Sequence, residues 1–154
     1  MLLSRKKILE CMEAGEIGIT PFIDENLEAC SYLFTLGHTY FELDNAYAAN
    51  GIDLREGKIR TQEKSMEDDG VILHPGDFKL FPTGESIKLS DNYACILGTR
   101  SSCARMGLDV MQTSILVDPG SNHPLTMEIS NVGPYPVTLY PGMGVMKGMF
   151  IPVE

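Results

Sequence analysis

Pro-Gly corners constrain this chain more than any other feature. Pro75-Gly76, Pro119-Gly120 and Pro141-Gly142 each separate runs of β-forming residues that are too short to be helices. Proline fixes its own φ and donates no backbone hydrogen bond, and glycine turns where other residues strain, so such a pair ends an element and reverses the chain. Around these corners, strands are predicted over 17–22, 30–36, 39–43, 71–73, 78–81, 86–89, 93–97, 108–117, 125–130, 137–140 and 145–150. Short strands punctuated this regularly predict a mainly β chain, a compact barrel or jelly roll.

One helix stands out, at the N-terminus. Ser4 is placed to cap it, Ile8, Leu9 and Met12 recur at helical spacing, and Gly15 supplies the stop. The stretch 45–70 is polar, with Asn50-Gly51 and Asp68-Asp69-Gly70 as turn signals, and is read as an excursion carrying one or two short strands. At 154 residues, with no internal repeat, the chain is expected to be a single domain over 1–154.

Composition narrows the function. A formal charge of −9 opposes nucleic-acid binding, which gains its affinity by neutralising phosphates. No run of eighteen apolar residues is present and the N-terminus turns charged at Arg5-Lys6-Lys7, so neither a membrane partner nor a secretory leader is expected and the chain is read as cytoplasmic. Cys11, Cys30, Cys95 and Cys103 form no Cys-x-x-Cys pair, and His38, His74 and His123 lie far apart, so free thiols and no zinc site are expected.

Chemistry concentrates in 98–131. Arg100-Ser101-Ser102-Cys103-Ala104-Arg105 is a hydroxylated turn with an arginine at each end, and Arg100, Arg105 and Lys147 are the only basic residues in the last third of the chain. If Ser102 caps one helical turn, free N–H groups and a guanidinium fork would hold an anion; a plain serine-capped turn with surface arginines reads equally well. Asp118 before Pro119-Gly120 is either a turn initiator or a carboxylate able to accept from a sugar hydroxyl. In a strand Leu125, Met127 and Ile129 share one face, and Thr126, Glu128 and Ser130 the other. Glu128 is then a solvated surface acid, unless that face lines a pocket and partial burial makes it a proton carrier.

With Ile19-Thr20-Pro21-Phe22, Cys30-Ser31-Tyr32, His74-Pro75-Gly76, the Arg-Ser-Ser-x-Ala-Arg run, and the ten residues from Asp118 to Glu128, the chain resembles the deoxycytidine triphosphate deaminases of the dUTPase-like superfamily. The resemblance implies a distorted β-barrel or jelly roll that assembles as a homotrimer, with sites between subunits. It implies that Arg100, Ser101, Ser102 and Arg105 hold phosphates, that Asp118 takes the deoxyribose 3′-hydroxyl, and that backbone near Thr113 and Ser114 reads the cytosine edge. Glu128 would activate water against C4 without zinc, and magnesium would travel on the nucleotide's phosphates. The implied activity is hydrolytic deamination of dCTP or a related deoxycytidine nucleotide, for pyrimidine deoxynucleotide supply. The alternatives are a dUTP diphosphatase-like pyrophosphatase and a catalytically weakened nucleotide-binding homologue. The family's His-Arg before the aspartate is Ile115-Leu116 here, and the family's C-terminal tail is not expected in this chain, which ends at Glu154.

Overall fold

The computed structural model describes residues 1–112 and 114–154. Helix α1 (Arg5–Glu13) begins where expected: the Ser4 hydroxyl accepts from the Lys7 amide, and Gly15, at φ +75°, follows the helix end. Strands β1 (Ile17–Thr20), β2 (Tyr32–Thr35) and β3 (Thr39–Leu43) follow. The excursion carries a short helix α2 (Tyr47–Asn50), a 3-10 turn (Leu54–Glu56) and one strand, β4 (Thr61–Ser65). Next come β5 (Val71–Leu73), β6 (Phe78–Leu89), β7 (Tyr93–Thr99) and the one-turn helix α3 (Ser101–Ala104). Strands β8 (Leu108–Asp109), β9 (Leu116–Val117), β10 (Asn122–Asn131), β11 (Val137–Leu139) and β12 (Gly144–Pro152) complete the chain.

The strands form three antiparallel sheets. The largest runs β4-β3-β6-β10-β8, with β1 also paired to β6; a second runs β2-β12-β7-β9; and β5 pairs with β11. None closes on itself among the described residues, so of the two architectures expected the jelly roll is the one seen, distorted rather than barrel-closed. The core fills with alternate residues of the facing sheets, among them Tyr32, Phe34, Phe81, Ile87, Met127, Ile129 and Phe150, all essentially without exposure. Burying one such side chain is worth roughly 1.5–3 kcal/mol, so these positions dominate the driving force.

Two sequence readings are corrected. The runs 78–81 and 86–89 belong to one strand, β6, because Pro82 to Glu85 continue the extended path while two extra residues bulge against β10: Pro124 pairs with Ser86, but Thr126 pairs with Pro82. The run 108–117 is two short strands, β8 and β9, because the chain turns away from the sheet after Asp109; Gln112 on that turn has φ +39°, uncommon for a residue with a side chain. The free thiols stand as expected, with Cys11, Cys95 and Cys103 buried and Cys30 half-buried. Burial pushes the Cys95 thiol up to about 12, so it remains protonated inside the core.

Candidate active site

Strand β10 places Glu128 by simple alternation. Leu125, Met127 and Ile129 face the core, Thr126 is exposed, and Glu128 is half-buried on the other face. That face is not a plain solvated surface at Glu128, although Thr126 beside it is exposed. It forms one wall of a cleft of about 270 Å³, closed on other sides by Leu97 of β7, Ser114, Leu116 and Val117 of β9, Asp118, Ser121 and His123. Glu128 and Asp118, ten residues apart in sequence, therefore share one cleft, and Ser114 joins them. Thr113 lies outside the described residues.

The Glu128 carboxyl makes no ion pair with any described residue. Burial holds it above the ordinary glutamate range, and the negative charge of Asp109 on neighbouring β8 adds to the shift; only its own backbone amide opposes. The Asp109 carboxylate is fixed by accepting from the Met111 amide at 3.2 Å, and Met111 bridges to Glu128. The Gln112 side-chain amide donates to the Ser130 hydroxyl, which ties the irregular turn to β10 two residues beyond Glu128. A carboxyl with a raised proton affinity and no cation beside it is suited to take a proton from water and return it.

The serine turn sits elsewhere. Ser101 and Ser102 both lie inside α3, with Arg100 as N-cap and no side-chain capping bond, so the expectation that Ser102 caps the turn is corrected. Both hydroxyls and Arg105 are exposed, and none of Arg100, Ser101, Ser102 or Arg105 lines the Glu128 cleft. Arg100 is anchored through its amide to the Val145 carbonyl (2.8 Å) and through its guanidinium to the Gly144 carbonyl (3.3 Å). Within one chain, then, the structure unites Glu128, Asp118 and Ser114 and leaves the Arg-Ser-Ser-x-Ala-Arg run on a separate surface.

Three participants escaped sequence reasoning. His123 reaches the cleft with its Nδ1 2.7 Å from the Pro124 carbonyl, but an isolated histidine carries no spacing signal. Asp109 and Gln112 act on Glu128 and Ser130 from across a strand pairing, and only the fold brings them near. Among the described residues, no three His, Cys, Asp or Glu side chains are grouped to hold a metal ion, and no helix is long and apolar enough to cross a membrane.

A family model described as dCTP deaminase-like matches residues 2–153. A "dCTP deaminase, dUMP-forming" of Bifidobacterium longum (strain DJO10A) is 37% identical over 152 residues, covering 97% of this chain and 78% of that protein. One from Rhodococcus opacus (strain B4) is 36% identical over 146 residues, covering 94% and 77%. Among solved structures, the 2′-deoxycytidine 5′-triphosphate deaminase from Agrobacterium tumefaciens superposes with a TM-score of 0.75 at 16% identity, over 99% of this chain and 48% of that one. This chain thus spans about half the length of the Agrobacterium chain. A mutant dUTPase from phage phi11 of S. aureus, in a structure detailing coordination of a structural Mg(II) ion, superposes at 0.58 with 12% identity over 90% and 91% of the two chains. At such identities both structures speak to the dUTPase-like fold alone.

Proposed function

The chain belongs to the dCTP deaminase-like family of enzymes, and on that premise we propose that it hydrolytically deaminates dCTP or a closely related deoxycytidine nucleotide. The observation that carries the reading is the cleft itself, where an unpaired glutamate with raised proton affinity faces Asp118 and Ser114.

Glu128 takes a proton from a water as that oxygen bonds to C4 of the cytosine. It then gives the proton to the 4-amino nitrogen, the C4–N bond breaks and ammonia leaves, and the proton of the new C4 hydroxyl passes to N3 as the C4 carbonyl of uracil forms. Asp118 accepts from the deoxyribose 3′-hydroxyl, and the backbone around Thr113 and Ser114 reads the base edge. No step requires zinc. The two carboxylates of the cleft repel a triphosphate, and among the described residues that line it only His123 is able to carry positive charge. The phosphates therefore belong with Arg100, Ser101, Ser102 and Arg105, and since those residues line a different surface of the same chain, a second copy supplies them. This supports a homotrimer with sites between subunits. Magnesium enters on the nucleotide's own phosphate oxygens, offsetting charge beside the two arginines. The product supplies the deoxyuridine nucleotides from which dTTP is made, in the cytoplasm.

The dUMP-forming names of the Bifidobacterium and Rhodococcus relatives favour a second reading of the product. In it a further water cleaves the α–β phosphate linkage, so that dCTP and two waters give dUMP, ammonia and pyrophosphate. The test is incubation of the purified protein with dCTP, dCMP or dUTP and magnesium, followed by chromatography of nucleotides and assay of ammonia. Ammonia with dUTP supports simple deamination, and ammonia with dUMP and pyrophosphate supports the coupled reaction. Pyrophosphate from dUTP without ammonia from any cytidine nucleotide would replace both with a diphosphatase.

A further inference from the structure

Strands β6 and β10 lose register between Pro124 and Thr126, directly beside the cleft and three residues before Glu128. A register fault there could let β10 slide, yet the fault is filled by a buried polar chain. The Leu125 amide donates to the Thr83 hydroxyl at 2.9 Å, and that hydroxyl donates onward to the Glu85 carbonyl at 2.6 Å. The Glu85 carboxyl, 1% exposed, accepts from the Thr35 amide at 3.0 Å and the Thr35 hydroxyl at 2.9 Å. Three strands, β2, β6 and β10, are thereby pinned at one point. Gly84 permits the approach, since a Cβ there would lie 2.8 Å from the Thr35 hydroxyl. Neither Thr83 nor Glu85 lines the cleft.

We propose that Thr83 is a positioning residue: through the Leu125 amide its hydroxyl fixes where β10 resumes its register, and so where Glu128 stands in the cleft. A main-chain amide left without an acceptor at a register fault would seek another partner. The strand could then shift by a fraction of a residue while the core face stayed buried. Glu128 would be displaced relative to Asp118 and to any bound base, and proton transfer is sensitive to displacements of that size. The role rests on the deaminase reading only for its kinetic consequence, because the geometry of Glu128 exists without substrate.

Thr83→Val keeps shape and removes both hydrogen bonds; Thr83→Ser restores them. Two measurements are paired: steady-state deamination of dCTP, and a ¹³C NMR titration of the Glu128 carboxyl in the substrate-free protein. For Thr83→Val the expectation is a fall in kcat of about ten- to a hundredfold, a KM within about twofold of the parent, and a displaced Glu128 titration midpoint, all restored in Thr83→Ser. Unchanged kcat and midpoint, even with a lowered Tm, would overturn the proposal and leave Thr83 a purely structural hydroxyl. If the parent protein shows no turnover, the deaminase reading fails by itself, and the Glu128 midpoint still decides whether Thr83 positions it. Should the valine chain not fold, Thr83→Cys, whose thiol is a poor acceptor of similar size, is read the same way.

Discussion

Glu128 and Glu28 are both half-buried glutamates flanked by strands, and their surroundings push them in opposite directions. Glu28 accepts from the Lys147 ammonium at 2.6 Å and the Ser31 hydroxyl at 2.9 Å, and Lys147, chiefly through that bond, holds its carboxyl below the ordinary range, with Arg100 adding to the effect from further away. Glu128 has no cation paired to it among the described residues, is desolvated by the cleft walls and feels Asp109. A carboxylate locked by a lysine is a fixed anion; one left without a cation and partly desolvated takes up a proton more readily. The lesson is that neither residue's chemistry is set by its type or its exposure. The cleft leaves its glutamate free to change protonation, whereas the charge of Glu28 is already balanced by Lys147 and held in place.

The largest expected break in that contrast comes from Glu128→Gln. Amide replaces carboxylate at nearly constant shape, so kcat should fall by about 10²–10⁴-fold, the usual contribution of a general base, while nucleotide affinity stays close to the parent value. Retention of most turnover would remove Glu128 from the mechanism. Arg105→Ala should do the reverse. Its guanidinium forms no hydrogen bond with a described residue, so its loss should spare the fold and weaken nucleotide binding by about 1.5–3 kcal/mol, as measured by calorimetry. Equal affinity in the variant would place the phosphates elsewhere.

The sequence made much of this legible, for specific reasons. Pro-Gly corners and β-rich runs gave most strands near their observed positions, because adjacent proline and glycine act locally, although Pro82 and Gly84, which are not adjacent, lie within β6. Alternation in β10 gave the correct core face, since a strand with one buried side has little freedom of register. What was hidden depended on non-local pairing. The fusion of two predicted strands into β6 across its bulge, the reversal at Gln112 that separates β8 from β9, and the approach of Asp109 to Glu128 follow from which strands meet. The serine turn shows the same division. Its composition allowed either an anion site or a plain surface turn, and its absence from the lining of the Glu128 cleft is a property of the folded chain.

A smaller effect isolates the electrostatic half of the Glu128 environment. Asp109→Asn keeps an acceptor for the Met111 amide and removes the negative charge that raises Glu128. Deamination by a base needs the carboxylate, so activity should climb as pH rises through the raised Glu128 value and then level off. Without Asp109's charge that climb should begin at lower pH, with the plateau of kcat little changed. An acid limb that stays in place would mean burial alone sets Glu128, or that another group titrates there.

Lys147→Met gives the smallest effect and tests the other half of the comparison. Glu28, whose folded-state proton affinity is lowered, contributes stability that is present above its unfolded value of 4.5 and disappears as pH falls through the lowered one. Removing Lys147 takes away the principal cause of that lowering, so the variant should lose part of its stability at neutral pH and lose less of it on acidification than the parent. Both partners remain about a third exposed, and solvent screening limits the pair to less than about 1 kcal/mol, read as a small drop in denaturation midpoint. Methionine preserves the stem that packs beside Thr99 and Met149 around the neighbouring cavity, so lost packing should not imitate lost charge. Since Lys147 lines no part of the Glu128 cleft, kcat should not move. A variant with unchanged stability but reduced turnover would invert the comparison, making the balanced pair part of the catalytic apparatus.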